Sequence, residues 1–378
     1  MTQRKVMQAM TEVLLRELEN SDIDWLITIG RHEEIVAGTI LVQPEKPVDE
    51  FYIILEGSVT ATIAHTATAD DPLALAFSAL EGSEATGREI IRLATGEIVG
   101  EECLLDGRPP AFTLKALQKS LVLAIPRQPL VAKLKQDVSF AAHFYRAVAG
   151  VLSDRLRSII RELGNNRFSQ GSPLREILFV FGELSDSDID WLISTGRREK
   201  IPAGTAVISK GRPVNGLYIL LDGAMAVSIS EEEQDNPLAL VFASIEEGEA
   251  PGREIARLLR GDIAGEMHFV DAHLPATTVK ALRDSIVLMI PQQQLAIKLQ
   301  EDVVFASHFY RVIAILISDR LRGMVSRLGY ARRVYDSGQS LNEDVEYEGE
   351  LDLHTLDNFA LAGNRFDWLL RRLNVKGA

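Results

Sequence analysis

Apolar and polar positions follow two rhythms along this chain, and the same succession of rhythms is traversed twice. The first cycle opens with Ile23, Trp25 and Leu26 on one helical face, behind Asn20, Ser21 and Asp22, whose side chains suit a helix start. Strand-like runs follow over Thr39–Gln43, Glu50–Leu55 and Ser58–Ala64, punctuated by Gly, Pro and Asp turns. A second group spans Glu89–Leu93, Glu97–Val99 and Thr113–Ile125. The cycle closes with a helical stretch from Gln128 to Leu163, in which Leu130, Leu134, Phe144, Val148, Leu152, Leu156 and Ile160 recur at helical spacing while Arg146, Arg155 and Arg157 fall off the stripe.

The second cycle is a copy of the first, displaced by about 165 residues. Ser21-Asp-Ile-Asp-Trp-Leu-Ile27 returns as Ser187 to Ile193, with Ser185 and Asp186 as the helix-start residues. Gly87-Arg88-Glu89-Ile90 returns as Gly252 to Ile255, His143-Phe-Tyr-Arg146 as His308 to Arg311, and Ser153-Asp-Arg-Leu-Arg157 as Ser318 to Arg322. So long a period is a duplicated domain and not a solenoid. Each half predicts a helix, about eight short strands and long helices, in that order. The fold class is mainly β with α (α+β): two tandem β-roll or jelly-roll barrels, each with an N-terminal helix and long C-terminal helices. Turn-forming residues between Gly164 and Pro173 set the boundary, giving domains at 1–164 and 173–330 and a tail at 331–378.

Composition narrows the function. The chain has 378 residues, 46% of them hydrophobic, enough for two real cores. Its 54 acidic residues against 40 basic ones give a net charge of -14, which repels phosphate backbones, so no nucleic-acid partner is expected. The single cysteine, Cys103, excludes an intramolecular disulfide and points to a reducing, cytoplasmic setting. The charged first twenty residues do not resemble a signal peptide, and no apolar run reaches the length of a membrane span, so no membrane insertion is expected.

The most informative stretches are Ile98-Val-Gly-Glu-Glu-Cys-Leu-Leu-Asp-Gly-Arg-Pro-Pro-Ala-Phe-Thr113 and Ile263-Ala-Gly-Glu-Met-His-Phe-Val-Asp-Ala-His-Leu-Pro-Ala-Thr-Thr278. Both resemble the phosphate-binding cassette of cyclic-nucleotide-binding domains, the β-roll modules of catabolite-activator-type regulators and cyclic-nucleotide-dependent kinases. The resemblance runs from about Asn20 to Leu163 and from about Ser185 to Leu328. It implies a short helical turn whose amides face an anion. It also implies a glycine that lets the backbone approach the ligand (Gly100, Gly265) and a glutamate that accepts the ribose 2'-hydroxyl (Glu101, Glu266). Glu102, Ala111, Met267, Ala276 and Thr277 are the further cassette candidates. The family's phosphate-binding arginine is replaced by Pro110 and Pro275; Arg108 is the substitute cation in the first half, and only His273 stands there in the second.

Proline offers neither a guanidinium nor an amide donor, and a buried phosphate without a cation loses about 2–5 kcal/mol, or about one and a half to three and a half decades of affinity. No resident cofactor is implied; a cyclic nucleotide, cAMP or cGMP, is the ligand class that follows from the resemblance. The tandem layout with its tail is also similar to cyanobacterial bacteriocin-type transport-associated proteins. A non-enzymatic regulatory or sensor protein, with an association to peptide export, is therefore expected. The alternative is a degenerate pair of domains that binds no nucleotide and acts as a protein-interaction scaffold.

Other features have ordinary readings. The inserted segments Asp70–Leu80 and Asp235–Ile245 predict short helices that cap a barrel end or dock a protein partner. Arg88, Glu89, Arg253 and Glu254 read as strand surface charges, with a pocket-facing cation as the alternative. His143 and His308 lack metal-ligand spacing, and Cys103 has His268 as its counterpart, which excludes a nucleophilic duty shared by both halves. No catalytic motif is present, so no enzyme is expected. The closing helices pair either within one chain or between chains, which leaves the oligomeric state open. The tail holds six acidic residues from Glu343 to Asp352 where a transcription regulator would place a DNA-binding module, and then an amphipathic helix over Asn364–Leu373. That helix docks on the body or recruits a partner.

Overall fold

The computed structural model describes residues 12–43, 46, 48–63, 88–105, 110, 112–164, 178–229, 253–271, 273–328 and 353–375. The inserted segments, the interdomain linker, the acidic part of the tail, Arg108 and Ala111 lie outside them, as do the side chains of Arg88, Glu102 and Cys103.

The first half runs α1 (Glu12–Glu17), α2 (Asn20–Ile29), β1 (Arg31–Ile35), β2 (Ile40–Val42), β3 (Glu50–Glu56), β4 (Ser58–Ile63), β5 (Arg88–Ala94), β6 (Ile98–Val99), α3 (Glu101–Leu105), β7 (Thr113–Ala116), β8 (Ser120–Pro126), α4 (Arg127–Gln136) and α5 (Val138–Gly164). The second half repeats it as α6 (Leu178–Glu183), α7 (Asp186–Thr195), β9 (Arg197–Ile201), β10 (Ala206–Ile208), β11 (Gly216–Asp222), β12 (Met225–Ile229), β13 (Arg253–Leu258), β14 (Ile263–Ala264), a 3-10 turn (Glu266–Phe269), β15 (Thr278–Ala281), β16 (Ser285–Pro291), α8 (Gln292–Glu301) and α9 (Val303–Leu328). A last helix, α10, spans Leu353–Arg372. Each half folds two antiparallel four-stranded sheets into a β-roll, in the orders β1-β8-β3-β6 and β2-β7-β4-β5, then β14-β11-β16-β9 and β10-β15-β12-β13. The expected α+β architecture of two tandem barrels is the one found.

Three local expectations need correcting. The strand run Thr113–Ile125 is two strands, because Leu117 to Lys119 form the turn between β7 and β8. The closing helical stretch is also two helices, broken at Asp137. This residue has left the helix (φ -121°), and its carboxylate accepts from the Phe140 amide at 3.0 Å and from Lys133 at 2.6 Å. Finally, α2 begins behind Glu19, whose amide donates to Asp22 at 3.0 Å, whereas Ser185 caps α7 in the expected place by accepting from the Asp188 amide.

Helices α5 and α9 pack against each other within the chain, giving the internal pairing. The expected apolar stripe of α5 is buried in a core that also takes in Phe305, Ile313 and Ile317 of α9. The repeated Phe-Tyr-Arg motif explains itself here. Phe144 and Phe309 stack on Phe140 and Phe305 of their own halves, while Arg146 lies over Tyr310 and Arg311 over Tyr145 across the pair, at 5.4 and 5.9 Å. The same arginines meet Glu17 and Glu183 of the entry helices at 2.8 and 2.7 Å. The helix pair is thereby tied to both halves by equivalent contacts.

His143 and His308 are structural. Nδ1 of each lies 2.8 and 2.7 Å from the buried Asp22 and Asp188. Burial pushes the Asp188 carboxyl up, but hydrogen bonds from His308 and Ser185 outweigh it and hold the group below the usual carboxylate range. A depressed folded value adds stability that is present above the unfolded pKa of about 3.9 and is lost as pH falls through the folded one. The melting midpoint of the wild type should therefore drop more steeply below about pH 4 than that of Asp188→Asn. Parallel curves would contradict this.

Helix α10 docks back on the second half. Phe366 meets Phe181 at 5.0 Å, Arg365 pairs with Asp186 at 2.9 Å and donates to the carbonyls of Phe181 and Gly182, and Leu369 and Leu370 are buried. The helix starts well before the expected Asn364 because its N-terminal turns extend back to Leu353.

Candidate functional site

Each cassette sits between the short sixth strand of its barrel and the seventh, as a single helical turn: α3 in the first half, the 3-10 turn in the second. Gly100 and Gly265 open these turns at φ +90° and +87°, where L side chains are strained. A Cβ would also lie 2.8 Å from the Glu50 carbonyl and 2.6 Å from that of Gly216. Both glycines are therefore required by the backbone itself.

Glu101 and Glu266 follow, 3% and 2% exposed. Burying a carboxylate is costly unless a partner answers it. In both halves the partner is an arginine of the closing helix. Arg155 of α5 pairs with Glu101, bonds Glu97 at 3.2 Å and donates to the carbonyl of Ile98. Arg320 of α9 pairs with Glu266 and donates to the carbonyl of Ile263 at 2.6 Å. Burial works against the charge of Arg155, yet Glu101 and Glu97 overcome it and hold the guanidinium firmly protonated. Arg155 and Arg157 lie off the apolar stripe, as expected, and both are nevertheless buried. A guanidinium can enter a core when carboxylates and carbonyls use its fork.

Arg157 reaches the other domain. Its Nη2 donates to Asp271 at 2.6 Å and its Nη1 to the carbonyl of Leu274 at 3.1 Å, while the Ser153 hydroxyl donates to Asp271 at 2.5 Å. The first domain's helix is thus clamped to the second domain's cassette. Asp154, Asp271 and His273 also bring one ligand atom each within 4.8 Å of one another. With Arg157 bound there, Asp271 is committed to the interdomain clamp more than to a cation. Burial, then the neighbouring Asp271, push the Asp154 carboxyl up.

In the second half Gly265, Glu266, Met267, Ala276 and Thr277 come together around one cavity, together with Pro275 and His273. In the first half Gly100, Glu101 and the buried Pro110 occupy the equivalent places; Arg108 and Ala111 fall outside the described residues. Spacing could not identify Arg155, Arg320, Arg157 or Asp271 as part of the site, because their partners lie 54 to 118 residues away. The one available signal was the exact recurrence of Ser-Asp-Arg-Leu-Arg in both halves. The strand charges form local pairs, Glu89 with Arg92 at 3.1 Å and Glu254 with Arg257 at 2.9 Å.

A family model described as cyclic nucleotide-binding domain matches residues 32–137 and 198–302. Among curated proteins, patatin-like phospholipase domain-containing protein 7 of Rattus norvegicus is 25% identical over 199 residues, covering 52% of this chain and 11% of that protein. Its Mus musculus counterpart is 23% identical over 198 residues, again 52% and 11%. The chain thus spans about a tenth of the length of these curated relatives. Among solved structures, the regulatory domain of Toxoplasma gondii PKA with cAMP is 16% identical, covering 80% of this chain and 92% of that one at a TM-score of 0.28. The regulatory subunit of a cAMP-independent protein kinase A from Trypanosoma brucei is 16% identical, covering 80% and 93%, also at 0.28. No helix among the described residues is long and apolar enough to cross a membrane.

Proposed function

Because two matches of its model take up more than half of the sequence, the chain belongs to the cyclic nucleotide-binding domain family, and on that premise we propose a non-catalytic, cytoplasmic regulatory protein in which each cassette is latched to its closing helix. The observation that carries this is the buried pairing of the cassette glutamate with the helix arginine, present in both halves. A ligand hydroxyl that bonds the glutamate competes with the arginine for the same carboxylate. Cassette occupancy and helix position are then linked, and because α5 and α9 pack together, either cassette acts on the same helix pair. The domain limits at 1–164 and 173–330 are part of this proposal.

Ordinary cyclic-nucleotide binding is disfavoured on two counts: the glutamates are engaged, and Pro110 and Pro275 stand where the family has its cation, with Arg108 as a substitute in the first half alone. This supports a sensor with altered pockets, and equally favours the second reading, a scaffold that binds no nucleotide. Regulation of peptide export is the finer form of the first, resting on the likeness of the tandem layout to bacteriocin-type transport-associated proteins.

The latch has a direct test. Arg320→Gln removes the partner of Glu266 and the donor to the Ile263 carbonyl. Amides of the cassette, 266–271, and of the last turns of α9 should then lose protection against hydrogen exchange together, by about tenfold or more. Loosening of α9 with an unchanged cassette would sink the coupling.

A further inference from the structure

The cavity of the second cassette is built for something other than a phosphate. Its volume is about 100 Å³, and its walls are largely apolar: Ile208, Ile255 and Leu258 from the barrel, Met324 from α9, and Leu156 and Ile160 delivered by the first domain's α5. The charged groups at the wall are engaged within the protein, Glu266 with Arg320 and Arg157 with Asp271, and His273 stands exposed at the rim. An anion entering here would meet the Glu266 and Asp271 carboxylates beside these cations, with the Nε of Arg157 as a donor that has no hydrogen-bond partner.

Size decides between ligand classes. Pockets for drug-sized ligands begin at about 300 Å³. By contrast, an apolar protein cavity of about 150 Å³ stays dry and takes up benzene or xenon. At about 100 Å³ this cavity is closer in size to the second class, although it opens to solvent at His273. We propose that the second domain's pocket, completed by the first domain's closing helix, is a site for one small, neutral, apolar molecule of about the size of a single ring. The proposal rests on the latched-cassette reading, because it requires Arg320 to keep Glu266 occupied.

The duplication supplies an internal control. At the positions of Ala264 and Thr277 the first domain carries Val99 and Phe112. Both are larger side chains and pack on the first barrel's core. Thr277→Phe should therefore plug the second cavity with a side chain that this fold already accommodates, and Ala264→Val should narrow it more gently.

Benzene near saturation, and xenon under pressure, should each raise the melting midpoint of the full chain by about 2 °C. The rise should vanish in Thr277→Phe and shrink in Ala264→Val, which reads the same cavity if the larger substitution fails to fold. An unmoved wild-type midpoint, or an equal rise in both variants, overturns the inference. A parallel titration with cAMP and cGMP separates the two levels of the argument. If both nucleotides and benzene are inert, only the apolar site falls; a saturable nucleotide-induced rise contradicts the latched cassette and the apolar site together.

Discussion

Replacing Arg155 by Met should lower the melting midpoint by about 10 °C. The substitution leaves Glu101 buried at 3% exposure with no cation, and removes the donor that satisfies the Ile98 carbonyl. Breaking a buried pair by taking away one partner costs about 3–5 kcal/mol, and for domains of this size each kcal/mol is worth about 2–4 °C. Glu97 contributes less to the loss, because it is more exposed and can turn to water. The double variant Arg155→Met, Glu101→Leu should recover most of the deficit, since well-packed apolar replacements of a buried pair are often neutral or stabilising. Differential scanning calorimetry of the wild type, both single variants and the double variant closes the cycle. Simple addition of the two single losses would mean that the pair is not coupled and that Arg155 is a packing residue.

The sequence carried the scaffold and half of the site. Duplication gave the two domains, the alternation of short strands gave the barrels, and the glycine-glutamate pairs fall on the helical turns that follow β6 and β14. Gly100 and Gly265 were legible from the resemblance, as a close approach to a ligand, and the structure adds a positive φ and a close carbonyl. What stayed hidden depends on partners distant in sequence. Helical periodicity assigns Arg155 and Arg157 to a polar face, and only the fold brings Glu101 and Asp271 to meet them. The break at Asp137 escaped for a different reason: a single carboxylate bonding the Phe140 amide ends one helix and starts the next without a glycine or proline. The tail helix was legible as amphipathic, but its seat on Phe181 and Asp186 was not.

The second large effect concerns affinity for cyclic nucleotides. A pocket of this family without its phosphate cation forfeits about 2–5 kcal/mol, about one and a half to three and a half decades at 1.4 kcal/mol each. A ribose hydroxyl would in addition have to share the Glu101 or Glu266 carboxylate with the buried Arg155 or Arg320. The two costs act together, because both belong to the same bound state. Together they predict binding weaker than micromolar.

Isothermal titration of the full chain with cAMP and with cGMP tests this most directly. The latched cassettes predict no saturable heat up to about 1 mM of either nucleotide. Saturable binding in the micromolar range, at one or two sites per chain, would contradict them.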